Sequence, residues 1–301
     1  MKKLTISLLL LLLPCTSVWA NITPLPLPAD KGQPIGQLLL HTAQEEDTLT
    51  SLARYYGVSP ILMIAANPDQ DLLLIKPGQQ VVIPNQMLLP KASTKGIVIN
   101  LAELRLYYYP EDEQAVYVFP IGIGRVGRAT PLTTTSISQM RKNPTWTPTA
   151  NTHREYAAMG KPLPAVVPAG PDNPLGEYAM RLAYGSGEYL IHGTNDPKDM
   201  GLRSSAGCIR MYPEHVEWLF AQVDTGTQVQ IVNQSLKVST DEYGQIFVES
   251  HEPLTTEGTA DTRPLDMSDL APLFEQGVDE ATIRQIIGSH QATPQLAGQV
   301  N

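Results

Sequence analysis

Residues 95–109 read Lys95-Gly96-Ile97-Val98-Ile99-Asn100-Leu101-Ala102-Glu103-Leu104-Arg105-Leu106-Tyr107-Tyr108-Tyr109. Apolar side chains recur at alternate positions: Ile97, Ile99 and Leu101, then Leu104, Leu106 and Tyr108, and further on Val116 and Val118. Neighbouring side chains of a strand point to opposite faces, so this period of two predicts strands and hairpins with one face buried. Pro110 to Gln114 is the polar turn between two of them. Another strand is expected over Glu188 to Ile191, after Gly185-Ser186-Gly187, and a closing one over Thr227 to Val232. Between them Pro213 opens a helix whose apolar face is Val216, Leu219, Phe220 and Val223. The fold class is therefore α+β, with a β-rich central unit.

Composition agrees with a packed, exported chain that does not read nucleic acid. The 301 residues are 42% hydrophobic and 17% charged, enough apolar side chain for a sizeable core. Thirty acidic residues against 21 basic give a net charge of -9, whereas a phosphate-backbone reader needs clustered Lys and Arg. Lys2 and Lys3 precede the apolar run Leu4 to Leu13, then Pro14 and a small-residue end at Ala20. That order predicts a secretory signal over residues 1–20, too short in its apolar part to span a bilayer. Cleavage there removes Cys15 and leaves Cys208 as the only thiol of the exported chain, which is expected to carry no transmembrane segment.

Residues 21–40, with Pro24, Pro26, Pro28 and Pro34, read as an extended Pro-rich lead-in. Residues 41–86 form a small unit of strand, helix, helix, strand. Asp47 or Thr48 caps a helix over Leu49 to Tyr56, which Gly57 ends. Ser59-Pro60 starts a second helix with Ile61, Leu62, Ala65 and Ala66 on one face, stopped at Asn67-Pro68. Pro77-Gly78 turns into a strand over Gln80 to Ile83. Residues 141–175 carry seven prolines and no period, and read as a functional loop or lid. Beyond 234 the chain is acidic. Lys237 to Glu249 reads as a hairpin about Asp241-Glu242-Tyr243-Gly244 and Asp279 to Ile287 as a short helix, in an extension expected to be solvated and loosely packed. Docking of this extension on the central unit is the alternative.

Two motifs bear on chemistry. Gly122-Ile123-Gly124-Arg125-Val126-Gly127 matches G-x-G-x-x-G, but a dinucleotide fingerprint needs a helix at that loop. Pro131 and a run of β-branched residues follow instead, so the reading is a glycine-rich loop between strands. The other is His192-Gly193-Thr194 followed by Ser204-Ser205-Ala206-Gly207-Cys208-Ile209-Arg210. A thiol attacks as thiolate, which an imidazole can generate and a guanidinium can favour. His192 ends a strand and Cys208 precedes a helix, so both fit at the rim of one sheet. Gly207 lets the chain turn tightly and leaves amides near Cys208 for an oxyanion. Read singly, Cys208 could be a small buried hydrophobe, His192 a structural histidine, Arg210 a surface cation and Ser205 a turn residue. The six histidines are scattered without ligand spacing, so no metal and no cofactor are expected.

The small unit resembles a LysM module, carried by Asp47-Thr48-Leu49, Ala66-Asn67-Pro68 and Lys76-Pro77-Gly78-Gln79; Glu46 stands where a Gly is usual. The resemblance implies binding to N-acetylglucosamine-containing glycan, peptidoglycan above all, with Asp47, Thr48, Asn67 and Pro68 as candidate contacts. Residues 96–233 resemble the YkuD-type L,D-transpeptidase catalytic domain, on His192-Gly193-Thr194, Ser204 to Arg210, Phe119-Pro120-Ile121-Gly122-Ile123-Gly124, Thr147-Pro148-Thr149 and Pro168-Ala169-Gly170-Pro171. Many members have His where Ala206 stands here. The resemblance implies Cys208 as acylated nucleophile, His192 as base, the Gly193 carbonyl orienting that base, and the Gly207 region as oxyanion site. Arg210, Ser205, Thr194 and Tyr189 would bind substrate. It implies a periplasmic enzyme acylated by the diaminopimelate carbonyl of a peptidoglycan tetrapeptide, with carbapenems as inhibitors. The LysM-first layout and Val248 to Leu254 are similar to the subgroup that anchors murein lipoprotein to the wall. That makes the lipoprotein the implied acceptor, with 3-3 crosslinking, hydrolysis or a catalytically dead glycan-binding protein as alternatives. A lone thiol outside the cytosol also implies a periplasmic thiol reductant. Residues 234–301 form the C-terminal extension.

Overall fold

In the computed structural model the chain is described at residues 22–30, 32–254, 270–271, 274 and 278–300. The signal-peptide reading lies outside the described residues. The proline-rich lead-in is part of the fold: Leu25–Pro26 (β1) pairs with an outer strand of the central sheet. Ile35–Thr42 (β2) begins well before the small unit was expected to start, and pairs antiparallel with Gln80–Met87 (β3) over its full length. Between them lie Leu49–Tyr56 (α1) and Pro60–Ala65 (α2). Thr48 and Ser51 form a reciprocal capping box, and Gly57 ends α1 at φ 63°. The apolar face of α2 differs from its sequence reading: Leu62 and Met63 are buried while Ile61 is exposed. A six-residue helix has under two turns, so its neighbours choose the buried side rather than its period.

The alternating stretch gives Gly96–Asn100 (β4), Arg105–Tyr109 (β5) and Ala115–Pro120 (β6). Then follow Ile123–Gly124 (β7), Thr133–Lys142 (β8), Ala150–Ala158 (α3), Tyr178–Leu182 (β9), Leu190–His192 (β10), Arg203–Ser205 (β11), Ile209–Arg210 (β12), Pro213–Gln222 (α4) and Gln228–Val232 (β13). Nine strands form one sheet in the order β1-β6-β5-β4-β13-β8-β9-β10-β12. β13 joins its two halves, parallel to β4 and antiparallel to β8. One face packs Ile97, Ile99, Leu106, Phe119 and Met180 against Val216 and Leu219 of α4. The expectation of a single buried face fails over β4–β6. Val98, Tyr107, Tyr109 and Val116, on the opposite face, are covered by Ile35 and Met87 of the β2–β3 hairpin. Residues 141–175 also differ from a structureless loop, since they hold α3, capped by the Thr149 hydroxyl accepting from Thr152 N–H at 3.2 Å.

The C-terminal extension is a packed unit, not a solvated tail. Leu236–Thr240 (β14), Gln245–Ser250 (β15) and Gln295–Gln299 (β16) form an antiparallel sheet, under Glu280–Ser289 (α5). Ile246, Val248, Ile283 and Ile286 make its core. A buried charge cluster ties it to the other units. Lys237 Nζ lies 3.0 Å from Glu103 and 3.1 Å from Glu249, and Arg105 contacts both carboxylates. His251 Nε2 is 2.7 Å from Glu249, whose other oxygen accepts from Leu88 N–H. Glu103, Glu249 and His251 approach closely enough to hold a cation, but Lys237 and Arg105 already supply the positive charge there.

Candidate active site

β10 and β12 run parallel, with Ile191 opposite Ile209 and His192 opposite Arg210. In this register Cys208, the residue before β12, falls beside Leu190 at the start of β10, two positions from His192. His192, Cys208, Arg210 and Tyr189 all line one cleft of about 850 Å³. His192 is buried, and its Nδ1 lies 2.6 Å from the Gly193 carbonyl. A carbonyl only accepts, so Nδ1 carries the proton and Nε2 keeps its lone pair. Burial, then the nearby Arg210 charge, lowers the imidazole pKa to about 4. His192 is thus neutral at pH 7.

Cys208 is the free cysteine among the described residues and is half-buried. Its Sγ lies 3.4 Å from the Glu188 carbonyl. Burial raises the thiol pKa, while the Leu190 amide and Arg210 pull the other way. The two groups therefore rest uncharged, as thiol and neutral imidazole. The loop bearing Cys208 is braced from within. Ser205 Oγ donates to the Cys208 carbonyl at 2.6 Å and accepts from Gly207 N–H at 3.1 Å. Thr130 Oγ1 donates to the Gly207 carbonyl at 3.0 Å. Gly207 turns at φ 113°, where a Cβ would stand 3.0 Å from Tyr189.

Several expected contacts are placed differently. The Gly207 amide is spent on Ser205, so it is not free for an oxyanion. The Ser205 hydroxyl is likewise engaged within the loop, by the Cys208 carbonyl and the Gly207 amide. Thr194 lies outside the cleft, its hydroxyl paired with Asp196 backbone on both sides. In the small unit Asn67 is buried, and its carboxamide bonds the Met63 and Val82 carbonyls and Val82 N–H. Thr48 is committed to its cap, and Asp47 to His41 Nε2 at 2.8 Å and Gln44 N–H. Pro68 is exposed. These four do not converge on a cavity among those described.

Sequence reasoning missed the guanidinium groups of the cleft. Arg125, Arg128, Arg141 and Arg181 line it together with Arg210. Arg125 stands in, and Arg128 directly after, the glycine-rich stretch set aside as a nucleotide motif, and no helix follows it: β8 does. Glu155 of α3 accepts from Arg125 at 2.7 Å and from Arg128 at 2.8 Å. Arginines dispersed over residues 125–210 form no cluster in sequence, so only the missing helix after Gly127 pointed to another use for this loop.

A cysteine and a buried histidine line one cleft, and the imidazole is fixed by a backbone carbonyl. The model of the YkuD family, the L,D-transpeptidase catalytic domain, matches residues 94–231, and the LysM domain model matches residues 41–84. "Probable L,D-transpeptidase ErfK/SrfK" of Escherichia coli (strain K12) is 47% identical over 233 residues, 76% of this chain and 74% of that protein. "Probable L,D-transpeptidase YbiS" of the same strain is 45% identical over 79% of this chain and 78% of its own length. "Probable L,D-transpeptidase ErfK/SrfK" of Salmonella typhimurium is 41% identical over 89% of each chain. The chain belongs to the L,D-transpeptidase family, with a LysM domain ahead of its catalytic domain. It is an L,D-transpeptidase.

Proposed function

We propose that Cys208 attacks the carbonyl of the third residue, diaminopimelate, of a peptidoglycan tetrapeptide stem. The observation that carries this reading is the His192 Nδ1 to Gly193 carbonyl bond, which leaves Nε2 as a base in the cleft that Cys208 lines. Nε2 takes the thiol proton as the S–C bond forms, then gives it to the amine of D-Ala as the C–N bond breaks. The thioester stays activated, so no ATP is consumed. An acceptor amine then attacks, an amide forms, and the thiol is regenerated. Cys208 is the nucleophile, His192 the base, the Gly193 carbonyl its orienting group, and Arg210 and Tyr189 substrate contacts. Ser205 and Gly207 hold the nucleophile's loop.

The acceptor is the C-terminal lysine of murein lipoprotein, so the reaction anchors lipoprotein to the wall. The LysM-first layout and the resemblance of Pro144 to Pro148 and Val167 to Gly176 to that subgroup support this acceptor. The site of action is the periplasm, reached by a signal peptide cleaved after Ala20, with peptidoglycan held in part by the LysM unit. A periplasmic thiol reductant keeps the lone Cys208 reduced. Among the described residues no helix is long and apolar enough to cross a membrane.

The test is mass spectrometry on the 21–301 protein mixed with disaccharide-tetrapeptide and a short peptide ending in lysine. The expected product has the mass of both minus D-Ala and is absent with Cys208→Ala. Tetrapeptide dimers or tripeptides alone would move the function to 3-3 crosslinking or hydrolysis. No reaction in freshly reduced protein would favour a glycan-binding protein without activity.

A further inference from the structure

The loop between β7 and β8 is stitched to the nucleophile's loop. Arg125 N–H donates to the Ser205 carbonyl at 3.0 Å, and Thr130 Oγ1 donates to the Gly207 carbonyl at 3.0 Å. Gly124 N–H in turn donates to Thr130 Oγ1, and a Cβ on Gly124 would sit 2.1 Å from the Arg128 carbonyl. Arg125 and Arg128 are thereby held at a set position relative to Cys208. Both are half-buried in the cleft wall, and both spend a guanidinium N–H on one carboxylate, that of Glu155 on α3. Each Arg takes one oxygen of it. Arg141, Arg181 and Arg210 line the same cleft, against Glu155 and Glu188 as its acids, in a chain of net charge -9. Glu188 is engaged locally, by the Ser186 amide and hydroxyl at 2.8 Å. The cleft is thus cationic in an acidic protein, and two of its cations are covered by an internal carboxylate on a separate helix.

We propose that Arg125 and Arg128 are the carboxylate-recognition residues of this cleft, and that Glu155 is an internal stand-in which a peptide carboxylate displaces. Guanidinium forks match carboxylates in geometry as well as charge, and an exchange of one carboxylate for another keeps both arginines paired. Both reactants of the proposed function carry such groups: the stem its free carboxylates, the acceptor the C-terminal carboxylate of its lysine. The inference rests on that reading for the identity of the peptides, not for the chemistry of recognition.

The experiment uses the full 21–301 chain carrying Cys208→Ala, so that binding is measured without turnover. Disaccharide-tetrapeptide, the lysine-ending peptide and the carboxamide form of each are titrated by calorimetry. Removing the stand-in charge with Glu155→Gln is expected to tighten one of the two carboxylate ligands about threefold. The pair Arg125→Gln with Arg128→Gln is expected to weaken that ligand about tenfold. Neither change should move its carboxamide form, and whichever ligand responds identifies the source of the carboxylate. A purely structural ion pair predicts the reverse sign, since loosening α3 would weaken all ligands alike. Weaker or unchanged binding in Glu155→Gln, or equal shifts on the carboxamides, overturns the proposal, as does failure of both peptides to bind. Failure of the transpeptidase reading shows separately, as absence of any acyl adduct on Cys208 of the otherwise unchanged protein.

Discussion

Cys208 and His192 rest in their neutral forms, because burial raises the thiol pKa and lowers the imidazole pKa. A stable thiolate–imidazolium pair would make alkylation fast and flat from mildly acidic pH upward. Here the rate of iodoacetamide labelling of Cys208 is expected to keep climbing above pH 8. A plateau reached by pH 6 would show the ion pair instead. Cys208→Ala should abolish acyl-adduct formation while changing stability by less than about 1 kcal/mol, since a half-buried thiol leaves little cavity; a urea melt checks the second half. That Cys208, His192 and Arg210 share one cleft was legible in the His192-Gly193-Thr194 and Ser204 to Arg210 motifs, which stand close together in the chain. The engagement of Ser205 and of the Gly207 amide was not, since a hydroxyl or an N–H in a turn acquires its partner only when the turn closes.

At the scale of elements, the turn before β12 depends on one left-handed residue. Gly207→Ala would place a Cβ at φ 113° and 3.0 Å from the Tyr189 ring. It is expected to cost about 1–3 kcal/mol in urea unfolding and to slow Cys208 labelling, because the loop and the cleft wall shift together. Unchanged stability and labelling would show that the loop tolerates strain. Most elements followed from local chemistry. The capping box of α1 and Pro213 at the start of α4 are decisions made within a few residues. α3 escaped notice because proline spacing around it masks nine residues with little apolar periodicity. The apolar face of α2 escaped because the helix is too short for period to choose a side.

For the whole molecule, the charge cluster joins the sheet to the C-terminal unit. Burial would raise the Glu249 carboxyl, but Lys237, with His251 and Arg105, holds it at about 2. Lys237→Met would leave Glu103 and Glu249 buried with half their compensation, and is expected to destabilise by about 3–5 kcal/mol; an unchanged melting temperature would show that the cluster relaxes. Acid should weaken the fold in two stages. His192 and His215 are both pushed by burial to about 4, so below about pH 6.5 the unfolded chain binds protons that the folded one does not until about 4. Stability therefore falls as pH drops through that window, by on the order of 3 kcal/mol per histidine at full effect. The Glu249 contribution, whole above about 4.5, is lost as pH falls further toward 2. Melting curves from pH 7 to 3 test this, and a flat melting temperature between 6.5 and 4 would remove the histidine stage.

Alternation, caps and turn residues are properties of neighbouring residues, so the amino-acid sequence by itself determined the β-rich class and most helix limits, and singled out Cys208 and His192 as one candidate site. What covers the second face of β4–β6, why Glu103 and Lys237 are buried, and how Arg125 and Arg128 come to stand beside the nucleophile were decided only by tertiary structure. Those features pair groups far apart in the chain, from Ile35 with Tyr107 to Glu103 with Lys237, and no local period encodes such a meeting.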